Sequence, residues 1–182
     1  LGTAPAAQGL RKIVTIVRSD LVGSTKLGEG LSPETLRQVL ARYFDAMSEV
    51  LVRHEGASPR FIGDAVMAVF GIPTVHEDDA LRAVRAANEM RAALRELNEQ
   101  LDVRWGVRLQ ARTGVNTGEV IVGDPSQGED FVSGEAVNVA TRLERSAPPR
   151  EILIGEQTLE LVRGTVLVQA VEPIEVEGKR QS

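Results

Sequence analysis

The sequence predicts an α+β domain of ferredoxin-like plan (βαββαβ), an antiparallel sheet with helices on one face, extended by C-terminal elements. Three observations carry this prediction. Two long stretches repeat apolar residues at helical spacing, one from Leu36 to Leu51 and one from Ala80 to Leu97. Blocks of β-branched and aliphatic residues, bounded by Gly, Asp or Asn, lie before, between and after them. The resulting order is strand, helix, paired strands, helix, paired strands, then smaller elements.

Composition sets bounds on what such a domain does. A chain of 182 residues suits one sizeable core, and with only 3% aromatic residues that core is aliphatic. The net charge of -5 argues against non-specific nucleic-acid binding. Cysteine is absent, which excludes disulfides and thiolate chemistry and fits a reducing, cytoplasmic setting. Two histidines are too few for a histidine-rich metal centre, and no apolar run is long enough to insert into a bilayer. Residues 1–11 read as an Ala/Gly-rich linker, and residues 12–182 as the folded domain. Because the chain starts at Leu1, it is expected to be a fragment of a longer protein.

The first strand is expected over residues 13–19, leading into Asp20-Leu21-Val22-Gly23-Ser24-Thr25. Gly23, Ser24 and Thr25 make this a loop whose backbone N–H groups can approach an anion, although it lacks the Walker A spacing. Ser32-Pro33-Glu34 starts a helix: a hydroxyl cap, proline in the first turn, then an acid. Gly56 closes it, with His54 as a cap or surface residue. Phe61-Ile62-Gly63-Asp64-Ala65 reads as a hairpin with Asp64 in its turn, and residues 65–70 as a strand apolar on both faces. Thr74 and Glu77 have capping-box spacing for the second helix, and the acids Glu77, Asp78 and Asp79 suit its positive end better than a metal site. Residues 107–116 and 120–124 are expected to form a second hairpin turning at Thr117-Gly118-Glu119, followed by a mobile polar loop over 125–130. A short helix over 136–145, a strand over 152–154, a helix over 156–162 and an extended stretch or hairpin over 166–176 complete the chain.

Two aspartates at strand ends stand out. In the expected plan the first strand lies beside the first hairpin, so Asp20 and Asp64 can converge, as a divalent-metal phosphate site requires. Each also has a plain structural reading, Asp64 as a turn residue bonded to its own backbone and Asp20 as a cap. Asn138 and Arg142, four apart, share one helix face, where a solvated polar pair is the simple alternative.

Four runs in one frame resemble the catalytic domain of class III adenylate and guanylate cyclases of bacterial, actinobacterial type. They are Asp20-Leu21-Val22-Gly23-Ser24-Thr25; the Phe61-to-Gly71 hairpin; Gly114-Val115-Asn116-Thr117-Gly118-Glu119; and Gly134-to-Glu144. The resemblance implies conversion of ATP to cyclic AMP and pyrophosphate in intracellular signalling, with two Mg²⁺ or Mn²⁺ ions per site. It implies that Asp20, Asp64 and the Leu21 carbonyl hold the ions, that Asn138 positions the ribose, and that Arg142 meets charge developing on the α-phosphoryl group. It also implies a homodimer, each site joining Asp20 and Asp64 of one chain to Asn138 and Arg142 of the other, and regulatory domains elsewhere in the parent chain.

The chain departs from the family pattern at several positions. Arg60 and Phe131 stand where the family has its adenine-selecting lysine and aspartate. Arg60 can donate to adenine N1 or guanine O6, but Phe131 accepts nothing, so weak discrimination between ATP and GTP is expected. Glu177 falls where a lysine commonly reaches the triphosphate, leaving Lys179 or Arg180 to substitute. Arg18 replaces an aromatic residue two before Asp20 and is expected to pair with Asp20 or Asp64, competing with a metal. An enzyme of low intrinsic activity, or one that needs activation, is therefore the first reading. The second is a degenerate cyclase domain kept for nucleotide sensing or dimerisation. A diguanylate cyclase or palm polymerase ranks below both, for want of a Gly-Gly-acid-acid-Phe signature and a basic face.

Overall fold

The computed structural model describes residues 9–56, 59–124 and 131–174. Its elements run β1 (Leu10–Leu21), α1 (Ser24–Gly30), α2 (Pro33–Arg53), β2 (Arg60–Ile62), β3 (Ala65–Phe70), α3 (Asp79–Trp105), β4 (Ala111–Val122), β5 (Val132–Ser133), α4 (Glu135–Ser146), β6 (Ile152–Ile154) and α5 (Glu156–Val162). The sheet order β2-β3-β1-β4-β5 contains the expected ferredoxin-like core, and β6 joins β4 in parallel. Leu10 and Arg11 already belong to β1, which therefore starts before the predicted strand.

Alternation along β1 divides the molecule into two layers. Val17 and Leu21 point to the face covered by α2 and α3, together with Val66, Ala68 and Phe70 of β3. Val14 and Ile16 point to the opposite face, with Met67 and Val69 of β3 and with Ala136 and Ala140 of α4. The two long helices thus share one face as predicted, while α4 covers the other. All six residues of β3 are buried, as a strand covered on both sides requires.

The expected second hairpin at residues 117–119 does not form. β4 is one continuous strand, paired with β1 from Ala111↔Leu21 to Val122↔Leu10. Its glycines serve helix packing instead of a turn. A Cβ on Gly114 would meet the Ala140 carbonyl and come within 2.5 Å of the Glu144 amide, and one on Gly118 would come within 2.9 Å of Ala136 Cβ. The two missing side chains form a notch in which α4 lies directly on the strand.

Other boundaries move for local reasons. Asp20 and Leu21 finish β1, and Ser24 and Thr25 open α1 after left-handed Gly23 (φ 73°), so the predicted loop is shorter than expected. Ser32 caps α2 as predicted, accepting from the Thr35 amide at 3.2 Å. That helix closes with Glu55, not Gly56, in the left-handed conformation (φ 59°), and the Gly56 amide bonds the Leu51 carbonyl at 3.0 Å. The Thr74–Glu77 capping box is not made. The helix starts later, at Asp79, whose carboxylate accepts from the His76 amide at 2.8 Å. Residues 166–174 contain no strand, and their apolar side chains Leu167, Val168 and Val171 are exposed. The predicted 125–130 loop and Lys179 lie outside the described residues.

Gly114→Ala is expected to lower stability by about 2–3 kcal/mol, because the added methyl meets α4 backbone that cannot rotate away. The midpoint of urea unfolding reads this directly, and a variant as stable as the parent would show that α4 does not rest in the notch.

Candidate active site

Strand register builds the site. Asp20 on β1 pairs with Ala65 on β3, the residue after the Gly63-Asp64 turn, and with Arg112 on β4. Gly63, with φ 64°, makes the tight turn that carries Asp64. The two predicted metal aspartates are thereby brought to one end of neighbouring strands. Asp64 makes no hydrogen bond or ion pair with another described residue, whereas Asp20 is engaged: Arg112 Nε donates to its Oδ1 at 2.9 Å and a second nitrogen approaches Oδ2 at 3.5 Å. That hydrogen bond raises the Arg112 pKa further above its ordinary value.

The expected pairing of Arg18 is corrected here. Arg18 Nε donates to Glu144 Oε2 at 2.7 Å, not to Asp20 or Asp64. Arg18 does lie on the same strand face as Asp20, but α4 lies over that face and offers a nearer acid. Glu144 continues the buried stripe Ala136, Ala140, and its side chain is only 1% exposed. Burial raises its pKa to about 7, with the Asp20 carboxylate pushing the same way and Arg18 opposing. Arg112 completes the cluster by donating from Nη1 to the Arg145 carbonyl at 3.0 Å, so it joins Asp20 to the last turn of α4. Two carboxylates and two guanidinium groups thus tie the end of β1 to α4.

Asn138 and Arg142 lie on α4 on one face, as their spacing predicts. Both approach Glu135, Asn138 Nδ2 at 3.5 Å and Arg142 Nη1 at 3.3 Å. Within one chain they are held by Glu135 rather than aimed at Asp20. Arg60 on β2 and Phe131 before β5 are brought together, the guanidinium 4.6 Å from the ring centroid, so the two predicted base-reading positions stack on one another. Gly23, Ser24 and Thr25 stand at the start of α1, just past Asp20.

Sequence reasoning missed Arg112, Glu144 and Glu135. Glu144 had a signal, an acid in register with two buried alanines on a helix. Arg112 had none, because its approach to Asp20 depends on β4 pairing with β1 along its whole length.

The donor set fits a divalent ion of the Mg²⁺ or Mn²⁺ kind. Such ions take hard oxygen ligands, and here Asp20 and Leu21 end β1 next to the turn that carries Asp64. Among the described residues no group of three or more histidine, cysteine or acidic side chains is arranged to hold a metal ion. A cation bound there would share the Asp20 carboxylate with Arg112 and would offset its charge against Glu144.

Residues 8–182 match the family model for the adenylate and guanylate cyclase catalytic domain, and the chain belongs to that family. Among solved structures it is similar to the guanylyl cyclase Cya2, at 38% identity and a TM-score of 0.89, covering 96% of this chain and 90% of that one. It is also similar to the adenylyl cyclase CyaB from P. aeruginosa, at 32% identity and a TM-score of 0.88, covering 94% and 91%. Adenylate cyclase 1 of Rhizobium meliloti (strain 1021) is 34% identical over 137 residues, 74% of this chain but 21% of that protein. The chain spans about a fifth to a third of the curated relatives it matches.

The raised Glu144 pKa predicts a pH signature. The folded chain holds the Glu144 proton more tightly than the unfolded chain does, so this contribution to stability is full below about 4.5 and lost as pH rises through about 7. Glu144→Gln cannot ionise. Measured by urea unfolding in metal-free buffer near pH 5 and near pH 8, the variant should gain on the parent at the higher pH, and an equal gap at both would refute the assignment.

Proposed function

We propose that this nucleotidyl cyclase domain converts ATP to 3′,5′-cyclic AMP and pyrophosphate, as a cytoplasmic homodimer with two active sites at the interface. The observation that carries the reading is the register of β1, which sets Asp20 beside the Asp64 turn. Asp20, Asp64 and the Leu21 carbonyl hold two Mg²⁺ or Mn²⁺ ions. When bound, these supply the Lewis acidity that makes the ribose 3′-hydroxyl a nucleophile and neutralises the triphosphate. The 3′-oxygen bonds to the α-phosphorus as the bond from that phosphorus to the oxygen bridging to the β-phosphate breaks; pyrophosphate leaves with the bridging oxygen, and the hydroxyl proton passes to water.

The chain's own residues supply position and charge. Asn138 orients the ribose, and the Arg142 guanidinium meets the negative charge that builds on the α-phosphoryl oxygens. The first turn of α1, with Gly23, Ser24 and Thr25, offers N–H and hydroxyl donors to the phosphates, and Lys179 supplies a cation that offsets the repulsion between Glu177 and the triphosphate. Asn138 and Arg142 exchange Glu135 for the substrate held by the partner chain. Relatives and neighbours are named for either base, and a structure 26% identical in sequence holds GTP.

Relaxed base choice has its own support. Arg60 stacked on Phe131 presents N–H donors and an apolar face, with nothing to accept from the adenine amino group. GTP is therefore a substrate too, although ATP remains the reading we prefer. The remainder of the parent protein supplies the regulatory input.

With Mn²⁺, cyclic nucleotide should form from ATP, and from GTP at a rate within about tenfold, a pocket contact worth about 1.4 kcal/mol. Asp64→Ala should abolish turnover and Arg142→Ala should lower kcat about 10²–10³-fold. Mixing inactive Asp64→Ala and Arg142→Ala chains should restore about a quarter of parental activity, since half the dimers then hold one intact site of two. No product from either nucleotide by the parent would favour the sensing or dimerisation module; no recovery on mixing would refute the shared site.

A further inference from the structure

On the sheet face opposite Asp20, beneath α3 where β6 joins β4, lies a cavity of about 320 Å³. This is within the size range of small-molecule sites. Met47, Met90, Leu94 and Ile152 give it apolar walls. Two of the chain's three methionines are here, and methionine repacks around an occupant at little cost. Ser19 and Thr113, both buried, form the floor, where the Thr113 hydroxyl donates to Ser19 Oγ at 2.9 Å. Beside Ser19 is the hydroxyl of Tyr43, fully buried.

The rim is cationic. Arg91 and Arg95 stand one turn apart on α3, and Arg150 faces them from the residue pair before β6. Arg91 has Glu151 at 3.7 Å, but Arg95 and Arg150 make no ion pair with a described residue. With Glu151 set against Arg91, Arg95 and Arg150 leave the side chains at the mouth of the cavity net positive. Like charges there repel, and an anion relieves them.

We propose that this cavity binds a small amphipathic carboxylate, its apolar body among the methionines and its charged end at Arg95 and Arg150. The place of the floor makes the site regulatory. Ser19 immediately precedes Asp20 and Thr113 immediately follows Arg112, and the two pairs are opposite one another in register. Since side chains alternate across a strand, an occupant presses on the sheet directly behind the Asp20–Arg112 ion pair.

4-Phenylbutyrate is a suitable probe, with its neutral analogue 4-phenylbutanol and inorganic phosphate as the two halves of its chemistry. Calorimetry should show saturable binding of phenylbutyrate, at least about fivefold weaker binding of the alcohol and of phosphate, and backbone amide shifts at Ser19, Asp20, Arg112 and Thr113. Arg95→Glu with Arg150→Glu should weaken phenylbutyrate at least about fivefold, while Arg37→Glu on α2 leaves it unchanged. The exposed positions of both arginines keep the fold intact, which an unaltered thermal midpoint without ligand verifies. Absence of saturable binding, equal binding of the alcohol, insensitivity to the double charge reversal, or shifts confined to other parts of the sheet would each overturn the proposal.

Discussion

Pairing of β1 with β4 along twelve residues, and with β3 along six, is the constraint on which the other features rest. Register in a sheet has a period of two, so a slip of one residue would carry Asp20 from the α4 face to the α2 and α3 face. It would also drive Val14 and Ile16 out of their cluster with α4 and bring Val17 and Leu21 into it. Burial on both faces therefore holds the register firmly, and the position of one carboxylate follows from the packing of a dozen aliphatic side chains. The site is precise because the core beneath it is.

The same register explains how α4 comes to bear on the chemistry. Gly114 and Gly118 fall on the face of β4 that α4 covers and let the helix lie against the strand. Close approach brings Glu144 to Arg18 and the Arg145 carbonyl to Arg112. A buried ion pair is seldom a net source of stability, since desolvation offsets most of the attraction. Its value here is positional: the helix that carries Asn138 and Arg142 is tied to the strand that carries Asp20. Arg112 holds Asp20 at the strand end, and Glu135 holds Asn138 and Arg142 on the polar face of α4.

Much of the fold was legible in the sequence. The helical stripes, the Ser32 cap, the Gly63-Asp64 turn and the buried character of residues 65–70 all survive in the structure, because each depends on residues a few positions apart. The errors share a cause. Gly118 between polar neighbours looks like a turn, and only the helix lying over it shows that the glycine serves close approach. Thr74 and Glu77 have the spacing of a capping box, yet the chain between Phe70 and Asp79 reaches the helix start by another path, with Asp79 bonding back to His76. At the candidate site, Asp20, Asp64, Asn138 and Arg142 were visible as motif residues, and Arg112 was not.

What the sequence determined by itself was the periodicity of each element and the chemical type of the side chains at its ends. Those are local properties, fixed by backbone geometry and by the spacing of apolar residues. What only the tertiary structure decided was partnership: that Arg18 meets Glu144, that Arg112 meets Asp20, and that Arg60 lies on Phe131. Such pairs join residues on separate elements, 126 positions apart for the first and 92 for the second. No local pattern encodes them, because an ion pair forms where packing sets two charges side by side and excludes the water that would otherwise solvate each alone.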